Sequence, residues 1–443
     1  MKSFFQSLWS RLLGTATLAE STQLPSFSNT QPQPLSASPT IGARRPLISS
    51  HGQVSGFEFR INQRTQQRLN LRTDRRGQAA YVSAVLTSAH LVATSGRIGF
   101  ARVPLSWLLH ASDLPLVAGI WVGLEQHATA DQDSALIPAA LQAVQRLRAA
   151  GAKLGWDVMS NLPIAPDFVL QHQNTAAMTA LLAASTTWPE SFKSLPLLVT
   201  DISNTNELEL ALAHGVSFAC GAMSPPEQSD EPKETLAISP AVKRVSHLLN
   251  RLVMGSDTSE IVQEIKGDVG LSYQLLGRIN SASYAQLHEG ASIEQAVVML
   301  GRNELYRWLS LLMVEFAENR KISAALQEVV LWRSRLLELL AIEQQEAAPG
   351  LLFTLGLASL LGQILNISLP DVVTVLKLPK PAQQALLEQS GPWHPYLQIA
   401  RQVETQELDP DSALAQEFGG AERVLALSDQ AWAWAAEHTA RPL

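Results

Sequence analysis

The chain has 443 residues, 46% of them hydrophobic, which is room for two or three domains with their own cores and excludes a disordered protein. Its 33 basic and 40 acidic side chains give a formal net charge of −7, so no nucleic-acid partner is expected unless a local basic patch overrides the bulk repulsion. The single cysteine, Cys220, rules out an intramolecular disulfide and a thiolate metal cluster, and it suits a cytoplasmic setting.

Residues 1–45 form a first region. Met1 to Gly14 places Phe4, Phe5, Leu8, Trp9, Leu12 and Leu13 on one side of a helix, but polar residues interrupt the run too often for a secretory segment. It reads either as a frayed terminus or as a short anchor for a partner or a membrane surface. From Thr15 to Pro46 the chain is rich in Ser, Thr, Pro and Gln, a composition that cannot bury enough apolar surface to offset its ordering entropy. A flexible linker is predicted there.

Residues 46–232 alternate between strand and helix patterns. In GQVSGFEFRI the residues Phe57, Phe59 and Ile61 alternate with Glu58 and Arg60, which predicts a half-buried strand. Further strands are expected at LVAGIWVGL, AKLGWDV, DFVLQ, LPLLVTDI and GVSFACG, with helical patterns such as SALIPAALQAVQRLRAAG and TNELELALAHG among them. Such alternation implies parallel strands in βαβ units. About six units fall short of the ~250 residues and eight units of a full barrel, so an abridged or open barrel is expected. Within this region Arg60, Arg64, Arg68, Arg72 and Arg76 recur every four residues. On one helix they would make a slanting basic stripe, either for an anionic partner or simply solvated.

Residues 233–443 read as all-helical. Ile261, Val262 and Ile265 precede a break at Gly267, and Asp268 is placed to cap a second helix that ends near Asn280-Ser281. Ser292 with Gln295 three residues on forms a capping box before Ile293, Ala296, Val297 and Leu300. Gly301 suits a left-handed stop, and Leu305, Trp308, Leu309, Leu312 and Phe316 continue the helical period after it. The uncharged span from Leu351 to Pro370 approaches the ~20 residues of a membrane helix, but Gln363, Asn366 and several hydroxyl residues make it a buried core helix instead. Trp393, Trp432 and Trp434 follow, either as packing or as an aromatic partner surface.

The wording GDVGLSYQLLGRINSASY and ASIEQAVVMLGRNELYRWLSLLMV resembles the HDOD family from about Ala237 onward. The order of GFEFRI, the strand ending at Glu125, GAKLGWDV, PDFVLQH, LLVTDISNTNELELALAHG and FACGAMSPP resembles the EAL phosphodiesterases, which hydrolyse cyclic diguanylate. The resemblance implies a multidomain α/β plus all-α protein: an abridged, degenerate TIM-barrel-like EAL domain followed by an all-helical HDOD domain. An EAL-type site holds two divalent metals on several carboxylates beside a lysine. Here Glu58, Glu125 and Asp157 stand at vestigial acidic positions. The second aspartate is Val158, the lysine position is Leu170, and the aspartate two residues on is His172. The two later glutamates are Thr200 and Ser203, and the final glutamine is Cys220. In the helical half, the His-Asp pair of catalytic HD proteins falls on Ser359 and Leu360. These losses predict a protein with no catalytic residues, no metal and no cofactor, working as a scaffold toward other signalling proteins. A non-hydrolysing cyclic diguanylate receptor and a residual phosphodiesterase stand as the alternatives.

Overall fold

The computed structural model describes residues 44–439 apart from 72–73, 109–118, 126–129, 159, 161, 163, 173–187, 189, 225–239, 254, 281–291, 316–321 and 366. All belong to one compact unit, Pro39–Leu443. The amphipathic segment expected at Met1–Gly14 lies outside the described residues.

Eight strands close into a barrel: β1 (Arg45–Ser49), β2 (Val54–Arg60), β3 (Ile98–Pro104), β4 (Trp121–Glu125), β5 (Lys153–Trp156), β6 (Phe168–His172), β7 (Leu197–Ile202) and β8 (Phe218–Gly221). β1 runs antiparallel to both β2 and β8, and the remaining neighbours are parallel. The barrel is therefore closed, which corrects the expectation of an open or six-unit one. The two strands missed are β1 and β3, and β1 begins at Arg45, inside the stretch assigned to the linker. Nor is β2 half-buried: Glu58 is as fully enclosed as Phe59, because closure covers the inner face of every strand.

Alternation along the strands sorts the side chains. Inward positions deliver Leu47, Phe100, Trp121, Phe168, Leu170, Leu198 and Cys220 to a sealed apolar plug. Gly155 leaves room for the Phe168 ring, and Gly123 for Phe100 and Leu170. Outward positions such as Ile48, Phe57, Phe59, Ala101 and Val103 join the main core. Around the barrel run α1 (Gln63–Leu71), α2 (Arg75–Thr94), α3 (Ala130–Ala149) and α4 (Thr205–Ala213).

The second half contains α5 (Pro240–Val253), α6 (Thr258–Lys266), α7 (Val269–Asn280), α8 (Ile293–Glu315), α9 (Ser323–Glu343), α10 (Pro349–Leu365), α11 (Leu369–Leu376), α12 (His394–Thr405) and α13 (Ala421–Thr439). The caps fall where the sequence places them. Asp268 Oδ1 accepts from Leu271 N at 3.1 Å, and Ser292 and Gln295 exchange backbone-to-side-chain bonds at 2.9 and 3.3 Å. Gly301 takes φ 68° but ψ 167°, so it kinks α8 in a glycine-only conformation outside the left-handed helical region. α10 is buried on nearly every side, and no helix among the described residues is long and apolar enough to cross a membrane.

β1 and β2 are joined by a tight hairpin with no helix between them. α2 packs against β2, and the helical half covers the hairpin's outer wall beside it. Trp432 of α13 stacks on Trp332 of α9 at 4.9 Å and meets the Phe57 ring edge-on at 4.8 Å. Barrel and helices are also joined where Ala325 N donates to Gly52 O at 3.0 Å, Arg97 pairs with Glu328 at 2.6 Å, and Thr205 Oγ1 donates to Gln363 Oε1 at 2.9 Å. Burial pushes the Glu328 carboxyl upward, and Arg97 offsets part of that shift. Trp432 is thus a packing residue between barrel and helices, and Trp434 packs on Phe353 and His438.

Candidate functional site

Above the apolar plug, the next inward positions toward the strand C-termini are polar: Glu58 and Arg60 of β2, Arg102 of β3, Glu125 of β4, His172 of β6 and Thr200 of β7, with Arg45 facing them from the antiparallel β1. This is the end at which parallel barrels place their chemistry. Asp201 reaches the same point by breaking the alternation. Its φ is 62°, and the β7–β8 register shifts between Val199 and Ile202, a bulge that turns two successive side chains to the mouth. Thr200 Oγ1 then donates to Asp201 Oδ2 at 3.2 Å.

Arg102 is the hub. Its Nη1 donates to Glu58 Oε1 and to Asp201 Oδ2, both at 2.9 Å, and its Nη2 donates to Glu125 Oε1 at 2.5 Å. Arg45 donates from Nε to Glu58 Oε2 at 2.5 Å and from Nη2 to Asp201 Oδ1 at 3.0 Å. Arg60 Nη1 adds a third cation to Asp201 Oδ1 at 2.7 Å. Three guanidiniums thus face three carboxylates, and the charges balance. His172 Nδ1 lies 2.7 Å from Thr200 Oγ1 and 3.1 Å from Arg102 Nη2.

Protonation follows this geometry. Complete burial pushes the Glu58 carboxyl up, but Arg45, Arg102 and Arg60 overcome it and hold its pKa at about 2. Asp201 is also driven well below the usual range: burial opposes the shift, but His172 and the same arginines prevail. Burial pushes the Cys220 thiol well up, which keeps it protonated and inert.

Two of the three acidic residues singled out in the sequence, Glu58 and Glu125, therefore meet in one network. Asp157 follows β5 and is not among the carboxylates that meet Arg102; Ser160 N donates to its carbonyl. Arg45, Arg102 and Asp201 were not foreseen. The signal for Arg102 was present as a lone charge in the apolar run IGFARVPL, the mark of a buried, paired cation.

The arginine row is not a stripe. Arg60 ends strand β2 and points into the barrel mouth, Arg64 and Arg68 lie on α1, and Arg76 lies on α2; Arg72 falls outside the described residues. The four-residue spacing crosses a strand end, so helical geometry does not apply to it. In the helical half, Ser359 Oγ donates to Gly356 O at 2.6 Å and accepts from Arg333 Nη1 at 3.0 Å, and Arg333 also pairs with Glu404. Leu360 beside it is core.

Beside the barrel network opens a cavity of about 320 Å³ lined by Arg60, Ile61, Gln63, Gln66, Arg102, Pro104, Glu125 and Asp201.

The helical half belongs to a known class: residues 238–385 match the HDOD domain family, so the chain carries an HDOD domain. Among curated relatives, it is 30% identical over 175 residues to the uncharacterised protein YuxH of Bacillus subtilis strain 168, a match covering 39% of this chain and 42% of YuxH. It is 28% identical over 137 residues to the cyclic di-GMP phosphodiesterase CdgJ of Vibrio cholerae serotype O1, covering 31% of this chain and 32% of CdgJ. The chain thus spans less than half the length of either relative. A solved structure of a candidate signal transduction protein from Marinobacter aquaeolei VT8 aligns over 91% of this chain and 94% of its own, with a TM-score of 0.35 and 15% identity.

Proposed function

We propose that this chain is a non-catalytic signalling protein in which a degenerate EAL-like barrel and the HDOD domain form one interaction scaffold linked to cyclic di-GMP signalling. The carrying observation is the filled barrel mouth. Arg45, Arg60 and Arg102 occupy the place toward which metal-holding carboxylates would converge, and each of Glu58, Glu125 and Asp201 accepts from a guanidinium.

These residues do not fit a divalent metal pair. Such ions need about six oxygen ligands each, and the oxygens here are committed. The three arginines already neutralise the three carboxylates, so a dication entering there finds no net negative charge to offset the cost of stripping its water. The match to CdgJ, named a cyclic di-GMP phosphodiesterase, supports the signalling context, and the arginine network argues against the reaction.

Purified full-length chain incubated with cyclic di-GMP and magnesium or manganese should form no linear dinucleotide above the buffer control. Turnover near the ~10 s⁻¹ of an ordinary enzyme would overturn the reading. A receptor without hydrolysis is the second reading, favoured by the cavity beside Arg60 and Arg102, whose size is at the lower end for small-molecule sites. Titration calorimetry with the same dinucleotide separates the two: micromolar binding selects the receptor, and no heat at high protein concentration selects the scaffold alone.

A further inference from the structure

We propose that the C-terminal end of α12 and its cap, Glu404-Thr405-Gln406, couple the barrel mouth to the buried polar site of the helical half, so that parting Arg60 from Asp201 is felt at Arg333 and Ser359, and the reverse. Three consecutive residues touch both sites. Gln406 Nε2 donates to Glu58 O at 3.0 Å, and Asn62 Nδ2 donates to Gln406 O at 3.0 Å. Arg60 spans the junction: Nη1 holds Asp201 and Nη2 donates to Thr405 O at 3.3 Å, where the exposed carbonyls of a helix C-terminus favour a cation. One residue earlier, Glu404 is 4% exposed and takes Arg333, whose other amine reaches Ser359.

The turn transmits because it is fixed on both sides. Gln406 adopts φ 60°, a strained left-handed conformation for a side chain of its size, which persists only where surrounding bonds hold it. Shifting the Thr405 carbonyl therefore moves the Glu404 backbone with it. The far end is sensitive: Glu404 Oε1 and Arg333 Nε find no partner among the described residues, so this buried pair rests on few bonds and a displacement is not shared out over others. The outer end is accessible, because Arg60 lines the cavity at the mouth. A ligand or partner that engages its guanidinium must compete with Asp201 and Thr405 O together.

The inference holds for a barrel that binds, hydrolyses or does neither, so its test and the turnover assay can fail separately. Hydrogen exchange read by mass spectrometry on the full chain tests it. Asp201→Asn, and the milder Arg60→Gln should the first misfold, is expected to raise exchange about fivefold or more, the lower range of allosteric coupling, at residues 330–335 and 356–361. Residues 258–266, in the same half but off the path, should keep their rate. Glu404→Gln should raise exchange at 56–60 and 197–202, as reciprocity requires. Gln406→Gly preserves the positive φ and removes the bond to Glu58, and in that background the Arg60→Gln effect should stop at the barrel. Changes confined to the barrel strands, or a uniform rise that includes 258–266, would overturn the coupling.

Discussion

Replacing Arg102 by methionine keeps a long unbranched chain and removes the hub charge. In the parent protein the two partners of Glu58, Arg45 and Arg102, hold a fully enclosed carboxylate whose pKa lies at about 2 against an ordinary 4.5. That difference corresponds to about 3 kcal/mol of stability at neutral pH, and breaking a buried ion pair from one side costs about 3–5 kcal/mol. Arg45 contributes more to that shift than Arg102, and Arg60 adds to it, so the ion-pair figure sets the expectation: Arg102→Met should lose about 3–5 kcal/mol at pH 7, read by urea unfolding with tryptophan fluorescence. The pH dependence carries the sharper test. A depressed carboxylate stabilises the fold fully above its unfolded pKa and ceases to do so as pH falls through the folded one. The gap between parent and variant should therefore close between about pH 4.5 and 2. A control, Arg64→Met, breaks an exposed pair with Asp409 and should cost under about 1 kcal/mol. A gap below about 1 kcal/mol for Arg102→Met at pH 7, or one that stays constant down to pH 2.5, would refute the reasoning.

Trp432→Ala removes both the stack on Trp332 and the edge contact on Phe57; it should cost about 3–5 kcal/mol and raise dye binding to exposed apolar surface. Gly301→Ala meets no neighbouring atom within 4 Å, so its whole cost is backbone strain of about 1–3 kcal/mol, measurable by calorimetry. Ser292→Ala removes one arm of the capping box at the start of α8 and should cost about 1 kcal/mol, visible as faster amide exchange in that first turn.

The helical half was legible because its signals are local. Asp268, Ser292 and Gln295 act within four residues of themselves, and the apolar period of Ile293 to Leu300 needs no knowledge of what it packs on. The barrel was less legible where its signals were mixed. RPLIS follows a Pro- and Ser-rich stretch and carries a proline itself, so β1 resembles linker until closure supplies partners on both edges. IGFARVP holds a charge in mid-strand and ends in proline, so β3 lacks the clean alternation of β2. The site was half visible: Glu58 and Glu125 were found, but their meeting depends on strand order and on the bulge at Asp201, which no local pattern announces. The arginine row shows the opposite error, a regular spacing that spans a strand end and two helices.

The wall of the β1–β2 hairpin that the last helix covers has a consequence for biosynthesis. The ribosome delivers Phe57 early and Trp432 375 residues later, yet the two close one interface. At about 5–20 residues per second, the barrel waits tens of seconds with an apolar wall open to other nascent chains. Shortening the protein by its final helix should then damage the strands made first, and a chaperone that binds the growing chain has its natural target on the β1–β2 wall.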